Sequence, residues 1–278
     1  MKGIMKKGVL IAVAAMLVFT TACENTEKKV ENTTTVTTAE ATTEEAKDEN
    51  ATLGGLITDG KLVMGTNAAF PPFEYLEGST IVGFDVDVMA EVAKELGLEF
   101  EIKDMEFDSL PTALSQGQID VIAAGLTARP DREETMDFSQ SYYEAVQTII
   151  VLADSDIATA DDLTDKVIGV QTGTTGSWLA EEYTAISNVK GYANGMLAVE
   201  ALRTGSVDAV IIDNNPAKVY GDQYPNEVVL LNDQFDPEFY VFAVKKGNKE
   251  LLEKIDEVLQ EMREDGRFDE IKDRYLSE

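Results

Sequence analysis

ALSQGQIDVIAAG (113–125) returns downstream as ALRTGSVDAVIID (201–213). Both stretches open Ala-Leu, carry glycine at the fifth position and aspartate at the eighth, and then run through four small or aliphatic residues. Each reads as the end of a helix, a glycine stop at Gly117 or Gly205, and a buried strand. Apolar runs with little alternation are what strands covered on both faces show, as in parallel sheets. The repeat therefore predicts an α/β fold with two comparable units. One strand ends near Gly125, the other at Asp213. Ligands of open α/β sheets bind beyond the carboxyl ends of the strands. Two such sheets facing each other put Gly125, Thr127 and Arg132 opposite Asp213.

The flanking patterns agree. Lys61–Gly65, Leu98–Ile102 and Val167–Val170 read as strands. Asp85–Leu96 reads as a helix with Val88, Val92 and Leu96 on one stripe and Gly97 at its end. Asp108 is placed to cap a short helix through Ala113–Leu114. Near the C-terminus, Leu251, Leu252, Ile255, Val258, Leu259 and Met262 keep a helical period that Gly266 stops. Phe268, Ile271 and Tyr275 anchor a last turn or two.

Composition excludes several function classes. The chain carries 52 acidic and 23 basic residues, a formal net charge of −29. No basic patch is available to neutralise phosphates, so nucleic acid is not a partner. There is no histidine, which rules out imidazole bases, Ser-His-Asp triads and histidine-ligated metals. Cys23 is the single cysteine, so no intrachain disulfide and no cysteine-rich zinc site forms. Lys2, Lys6 and Lys7 precede the apolar run Gly8–Phe19 and then Thr20-Thr21-Ala22-Cys23, the layout of a secretory signal over 1–22. The apolar run is too short for a bilayer span, which needs roughly 20 residues. Residues 24–58 are rich in Thr, Glu, Ala and Asn, and predict a disordered tether.

Four features carry chemistry. Arg132 presents a planar fork that fits a carboxylate; its alternative is a surface ion pair with Asp131 or Glu133. Thr127, five residues earlier, offers a hydroxyl and a backbone N–H. The loop Gln171–Ser177 (QTGTTGS) joins a strand to a helix and is an anion cradle or simply a tight turn. It is not a phosphate loop, because no Gly-Lys-Ser/Thr follows. Asp213, at a strand end, either faces a ligand ammonium or caps the next helix. Phe70 and Phe107 are apolar walls or core. Together they outline a pocket for an L-α-amino acid, with no general base paired to a nucleophile.

GTNAAFPPFEY (65–75), GFDVDVMAEVAKELG (83–97), MEFDSLPTALSQGQID (105–120), AAGLTARPDREETMDFSQSYY (123–143), IGVQTGTTGS (168–177) and GSVDAVIID (205–213) resemble, in order, the polar amino-acid-binding proteins of bacterial ABC importers, solute-binding protein family 3. The resemblance implies the α/β, two-lobe fold of type II periplasmic binding proteins, with two hinge crossings and the ligand in the interlobe cleft. Lobe 1 would take 59–142 and 242–278, lobe 2 would take 147–237, and the hinges 143–146 and 238–241. It implies that Arg132 and Thr127, helped by the Thr175 N–H, hold the ligand carboxylate. Asp213 and the Gly125 carbonyl would take the ammonium, with Phe70 and Phe107 flanking the side chain and Asn67 and Gln171 selecting it. Glutamine, histidine and basic-amino-acid binders of the family often have Asp where this chain has Asn67, which puts a basic ligand in question. Glu74 and the acidic surface pull the other way, attracting cations at long range.

Cys23 resembles a bacterial lipoprotein processing site, although Thr20 stands where such sites usually have Leu. The expectation is a lipidated (palmitate-bearing), membrane-anchored monomer on the outer face of the cell membrane, with residues 23–58 as anchor and tether. It would capture a free, polar L-amino acid by hinge closure and deliver it to an ABC permease and ATPase, with no cofactor, no metal and no catalysis. Two alternatives stand beside it. A cyclohexadienyl-dehydratase-like lyase shares the fold and would need a cleft acid such as Glu74 or Glu144. A ligand-sensing subunit would need an output segment or partner.

Overall fold

The computed structural model describes residues 53–232 and 235–276. The chain begins its first lobe with β1 (Lys61–Thr66), a hairpin-like trio β2 (Ala69–Phe70), β3 (Glu74–Glu77) and β4 (Thr80–Val82), and α1 (Phe84–Glu95). There follow β5 (Glu99–Asp104), α2 (Leu110–Ser115), β6 (Val121–Ile122), the single-turn α3 (Pro130–Glu133) and β7 (Met136–Phe138). A short strand β8 (Tyr143–Ala145) leads to the second lobe: β9 (Gln147–Leu152), β10 (Ile168–Gln171), α4 (Thr175–Tyr183), β11 (Val189–Tyr192), α5 (Gly195–Arg203), β12 (Ala209–Asp213), α6 (Asn214–Gln223) and β13 (Val228–Leu230). The chain returns through β14 (Glu238–Tyr240) to β15 (Ala243–Lys245), α7 (Lys249–Asp265) and α8 (Arg267–Leu276).

Two five-stranded sheets result, ordered β5-β1-β6-β15-β7 and β11-β10-β12-β9-β13. The two repeat strands, β6 and β12, lie at the centre of one sheet each. Both faces of β12 are covered. Val210 and Ile212 enter one buried cluster, Ala209 and Ile211 another. The sheets are mixed rather than parallel throughout. β6 runs parallel to β1 but antiparallel to β15, and β12 parallel to β10 but antiparallel to β9. The reason is connectivity: each sheet takes in one strand delivered by a crossing between the lobes. The crossing strands themselves pair, β8 against β14, with Tyr143 opposite Tyr240 and Ala145 opposite Glu238.

Local details adjust the sequence reading. Asp108 does not cap α2: it lies within a 3₁₀ turn at Phe107–Ser109, and no side chain caps the helix. A proline in the first turn removes one of the amides that a cap would serve. The expected tether also ends earlier than 58. The Gly54 N–H donates to Glu250, the Ile57 N–H to Asp120 at 2.7 Å, and the Gly55 carbonyl accepts from Asn248. Cys23, the signal-like run and the rest of the tether lie outside the described residues.

Candidate functional site

Asn67, Phe70, Phe107, Gly125, Thr127, Arg132, Gln171, Thr175 and Asp213, far apart in sequence, all line one cavity between the lobes, together with Glu74, Ala124 and Thr174. Their positions follow from the elements. Asn67 leaves the carboxyl end of β1 and Gln171 ends β10. Asp213 ends β12, and Thr175 opens α4. These are strand ends and a helix start, where open α/β sheets leave room for ligands. The cavity is small, about 10 Å³, roughly room for one water.

Arg132 sits on α3 and is 5 % exposed. Its Nη1 donates to the Thr127 carbonyl at 2.7 Å and its Nη2 crosses the cavity to the Gly173 carbonyl at 2.9 Å. Among the described residues it forms no ion pair; Asp131 pairs with Arg129 instead. Burial, and then the neighbouring charge of Arg129, lower its pKa to about 10. It stays cationic at neutral pH; the charges of Asp131 and Glu238 act on it, but neither forms an ion pair with it.

The opposite wall is acidic. Asp213 is 6 % exposed, and its Oδ1 accepts from the Tyr240 hydroxyl at 2.6 Å. Although it precedes α6, its side chain caps nothing. Burial and the nearby Glu238 push its carboxyl up to about 7. Glu74 is fully buried with no hydrogen-bond partner on either carboxylate oxygen. Burial, then the charge of Asp85 and the contact between the two carboxyls, then the charge of Asp213, hold its pKa well above the usual carboxylate range. Asp85 stands behind it. Its Oδ2 accepts from the Gly125 N–H at 3.0 Å and the Tyr142 hydroxyl at 2.7 Å, and its Oδ1 is buried without a partner. Burial raises it to about 7 against those two bonds and the contact with the Glu74 carboxyl.

The remaining wall residues hold one another. Gln171 Nε2 donates to Asn67 Oδ1 at 3.0 Å across the lobes, and Asn67 Nδ2 donates to the Met105 carbonyl. The Thr127 hydroxyl donates to Glu238 at 2.7 Å, and Gln147 donates to Thr175 Oγ1 and to Glu238. Phe70 and Phe107 are buried, and the Arg132 guanidinium lies 5.5 Å from the Phe107 ring centre. Tyr220 adds a further interlobe bond, to the Ala69 carbonyl at 2.7 Å.

Sequence reasoning read Glu74 as a cleft acid and not as a wall of the pocket. The signal was its place in the hairpin: it pairs directly opposite Phe70, and β3 turns only its first residue fully inward. Among the described residues no group of three or more His, Cys, Asp or Glu side chains is placed to hold a metal ion.

The family profile of bacterial extracellular solute-binding proteins, family 3, matches residues 62–278. The arginine-binding extracellular protein ArtP of Bacillus subtilis is 34% identical over 223 residues, 78% of this chain and 86% of that protein. The ABC transporter glutamine-binding protein GlnH of the same organism is 34% identical over 247 residues, 86% and 88% of the two chains. A solved structure of an ancestral arginine-binding protein bound to arginine is 41% identical, covers 78% of this chain and 99% of its own, and superposes with a TM-score of 0.75.

Proposed function

Because the chain belongs to the bacterial extracellular solute-binding proteins, family 3, we propose that it captures a free L-α-amino acid with a cationic side chain between its lobes and delivers it to an ABC importer. The observation that carries this reading is the buried Arg132, which lacks a carboxylate partner and shares a cavity with the buried, acidic Asp213 and Glu74. A zwitterion fits that polarity. Its carboxylate pairs with Arg132, aided by Thr127 and the start of α4 at Thr175, and its ammonium with Asp213 and the Gly125 carbonyl. Phe70 and Phe107 enclose the stem, and Asn67 and Gln171 border its far end. The zwitterion leaves Glu74 over, and a cationic side chain supplies its counter-charge. ArtP and the ancestral protein, named for arginine, support that choice.

Admission of such a ligand requires the lobes to part, since the cavity is about 10 Å³. The paired strands Tyr143–Ala145 and Glu238–Tyr240 are the proposed hinge, within the crossings 143–146 and 238–241. Contacts made only on closure then favour the closed state. A monomer, anchored through lipidated Cys23 on the outer face of the membrane, completes the proposal. The lyase alternative finds no counterpart in the relatives named above, which are named for binding.

A second reading takes a neutral polar ligand such as glutamine, favoured by the elevated pKa of Glu74: a neutral carboxyl there donates to an amide oxygen. Calorimetry with L-arginine and L-glutamine between pH 5 and 8 separates the two. An arginine side chain pulls the Glu74 proton off, so arginine affinity rises with pH; affinity for a ligand held by protonated Glu74 falls. Arg132→Met should weaken either ligand at least tenfold. Each charge-assisted bond is worth about 1.5–3 kcal/mol, and about 1.4 kcal/mol is tenfold. Unchanged binding in that variant overturns the carboxylate assignment.

A further inference from the structure

A second arginine meets the opposite lobe outside the cavity. Arg129 precedes α3 in an extended conformation (φ −138°, ψ 150°), the conformation that the following Pro130 imposes. Its Nε and Nη2 fork onto the two carboxylate oxygens of Asp131, at 3.1 and 2.9 Å. That fork holds the guanidinium plane, whose carbon stands 3.7 Å from the ring centre of Trp178 on α4 of the other lobe. Nη1 reaches the Thr174 carbonyl, also on the other lobe, at 3.4 Å. The Arg129 side chain is 11 % exposed and Trp178 is 49 % exposed, so the stack lies at the rim. Neither residue lines the cavity.

We infer that Arg129 and Trp178 form a latch that holds the lobes together without touching the ligand, and so sets how long a captured amino acid is retained. The inference rests on the hinge-closure reading above. Its physical basis is general. A planar cation over an indole face is attracted by the ring quadrupole and stacks well. A contact present only when the lobes meet adds to closure whatever the ligand is. Asp131 contributes by orientation: it takes the edge of the guanidinium and leaves its face for the ring. Arg132 bonds the neighbouring Gly173 carbonyl, so the two arginines close on the same loop, one from inside the cavity and one from the rim.

The test uses the full chain and two readouts. Release of radiolabelled L-arginine into excess unlabelled arginine is timed for wild type, Arg129→Met, Trp178→Leu and the double variant. Each single change should speed release roughly two- to fivefold, the worth of an exposed cation–π contact. The double variant should be no faster than the faster single, because both remove one interaction. Single variants that release like wild type, or effects that multiply in the double, overturn the latch.

The second readout reports the stack itself and works with whichever amino acid closes the lobes. Trp178 is the chain's only tryptophan, so acrylamide quenching of intrinsic fluorescence reports its cover alone. In the presence of saturating ligand, L-arginine or, where arginine does not bind, L-glutamine, Arg129→Met should raise the quenching constant. An unchanged constant overturns the latch. Wild type that binds L-glutamine but not L-arginine refutes the cationic-ligand reading instead, and quenching with glutamine bound still decides the latch.

Discussion

Gly125 shows how narrowly one residue defines the site. Its φ is +54°, and a Cβ there would come within 2.6 Å of the Phe70 ring. Gly125→Ala meets two costs: a left-handed backbone, about 1–2 kcal/mol for an L-residue, and a displaced Phe70. The expected outcome is a fold that melts a few degrees lower and binding weakened well beyond what that loss explains, since Phe70 moves into the space for the ligand. Thermal melting and calorimetry on the same preparation read both. At this scale the sequence showed residue types and spacing. Arg132 and Asp213 were legible because a strand end precedes each. Whether Arg132 had an acidic neighbour was not legible, since Asp131 and Glu133 flank it. The structure resolves the matter through Arg129, which takes Asp131 for itself.

At the scale of elements, α1 is aimed by its first turn. The Phe84 and Asp85 amides donate to the Pro72 and Phe73 carbonyls, so the helix starts against the loop that carries Phe70 and Glu74. This puts Asp85 under the cavity, with one oxygen satisfied twice and the other not at all. Asp85→Asn keeps an acceptor for Gly125 and Tyr142 and offers an amide N–H to the Glu74 side. We expect equal stability at pH 5 and a gain of about 1–2 kcal/mol at pH 8, where the wild-type carboxyl is ionised and buried. Urea unfolding at the two pH values checks it. The helix itself was readable from its stripe of Val88, Val92 and Leu96. That its first acid faces inward was not, because helical periodicity records apolar burial and is silent on a buried carboxylate.

For the whole molecule, the buried acids fix how stability varies with pH. Asp85 and Asp213 have pKa values raised from 3.8 to about 7, and Glu74 is raised as well. A raised carboxyl stabilises the fold below its unfolded pKa, and that contribution disappears as pH climbs through the folded value. Ligand-free protein should therefore melt at higher temperature near pH 5 than near pH 8, by a difference on the order of a few kcal/mol in stability. A cationic ligand should reduce the difference by pairing with the ionised acids. Melting curves across that range, with and without arginine, check both statements; a flat profile without ligand refutes the first. The two-lobed plan was visible in the repeat, since helix, glycine and strand recur with the same spacing. The mixed character of the sheets was not, because a strand's direction depends on which neighbour the returning chain meets.

That return has a consequence for assembly order. β15, Ala243–Lys245, sits between β6 and β7, and α7 packs its buried face, Leu251, Ile255 and Leu259, into the same cluster as Leu62 and Met64. The second lobe's sheet draws all its strands from residues 147–230; the first lobe lacks an interior strand until Ala243–Lys245 is present. Pairings over such sequence distances form slowly. The N-terminal half of a nascent chain thus cannot complete its own sheet, and the lobe that bears Arg132, the residue proposed to hold the ligand carboxylate, is expected to become native last.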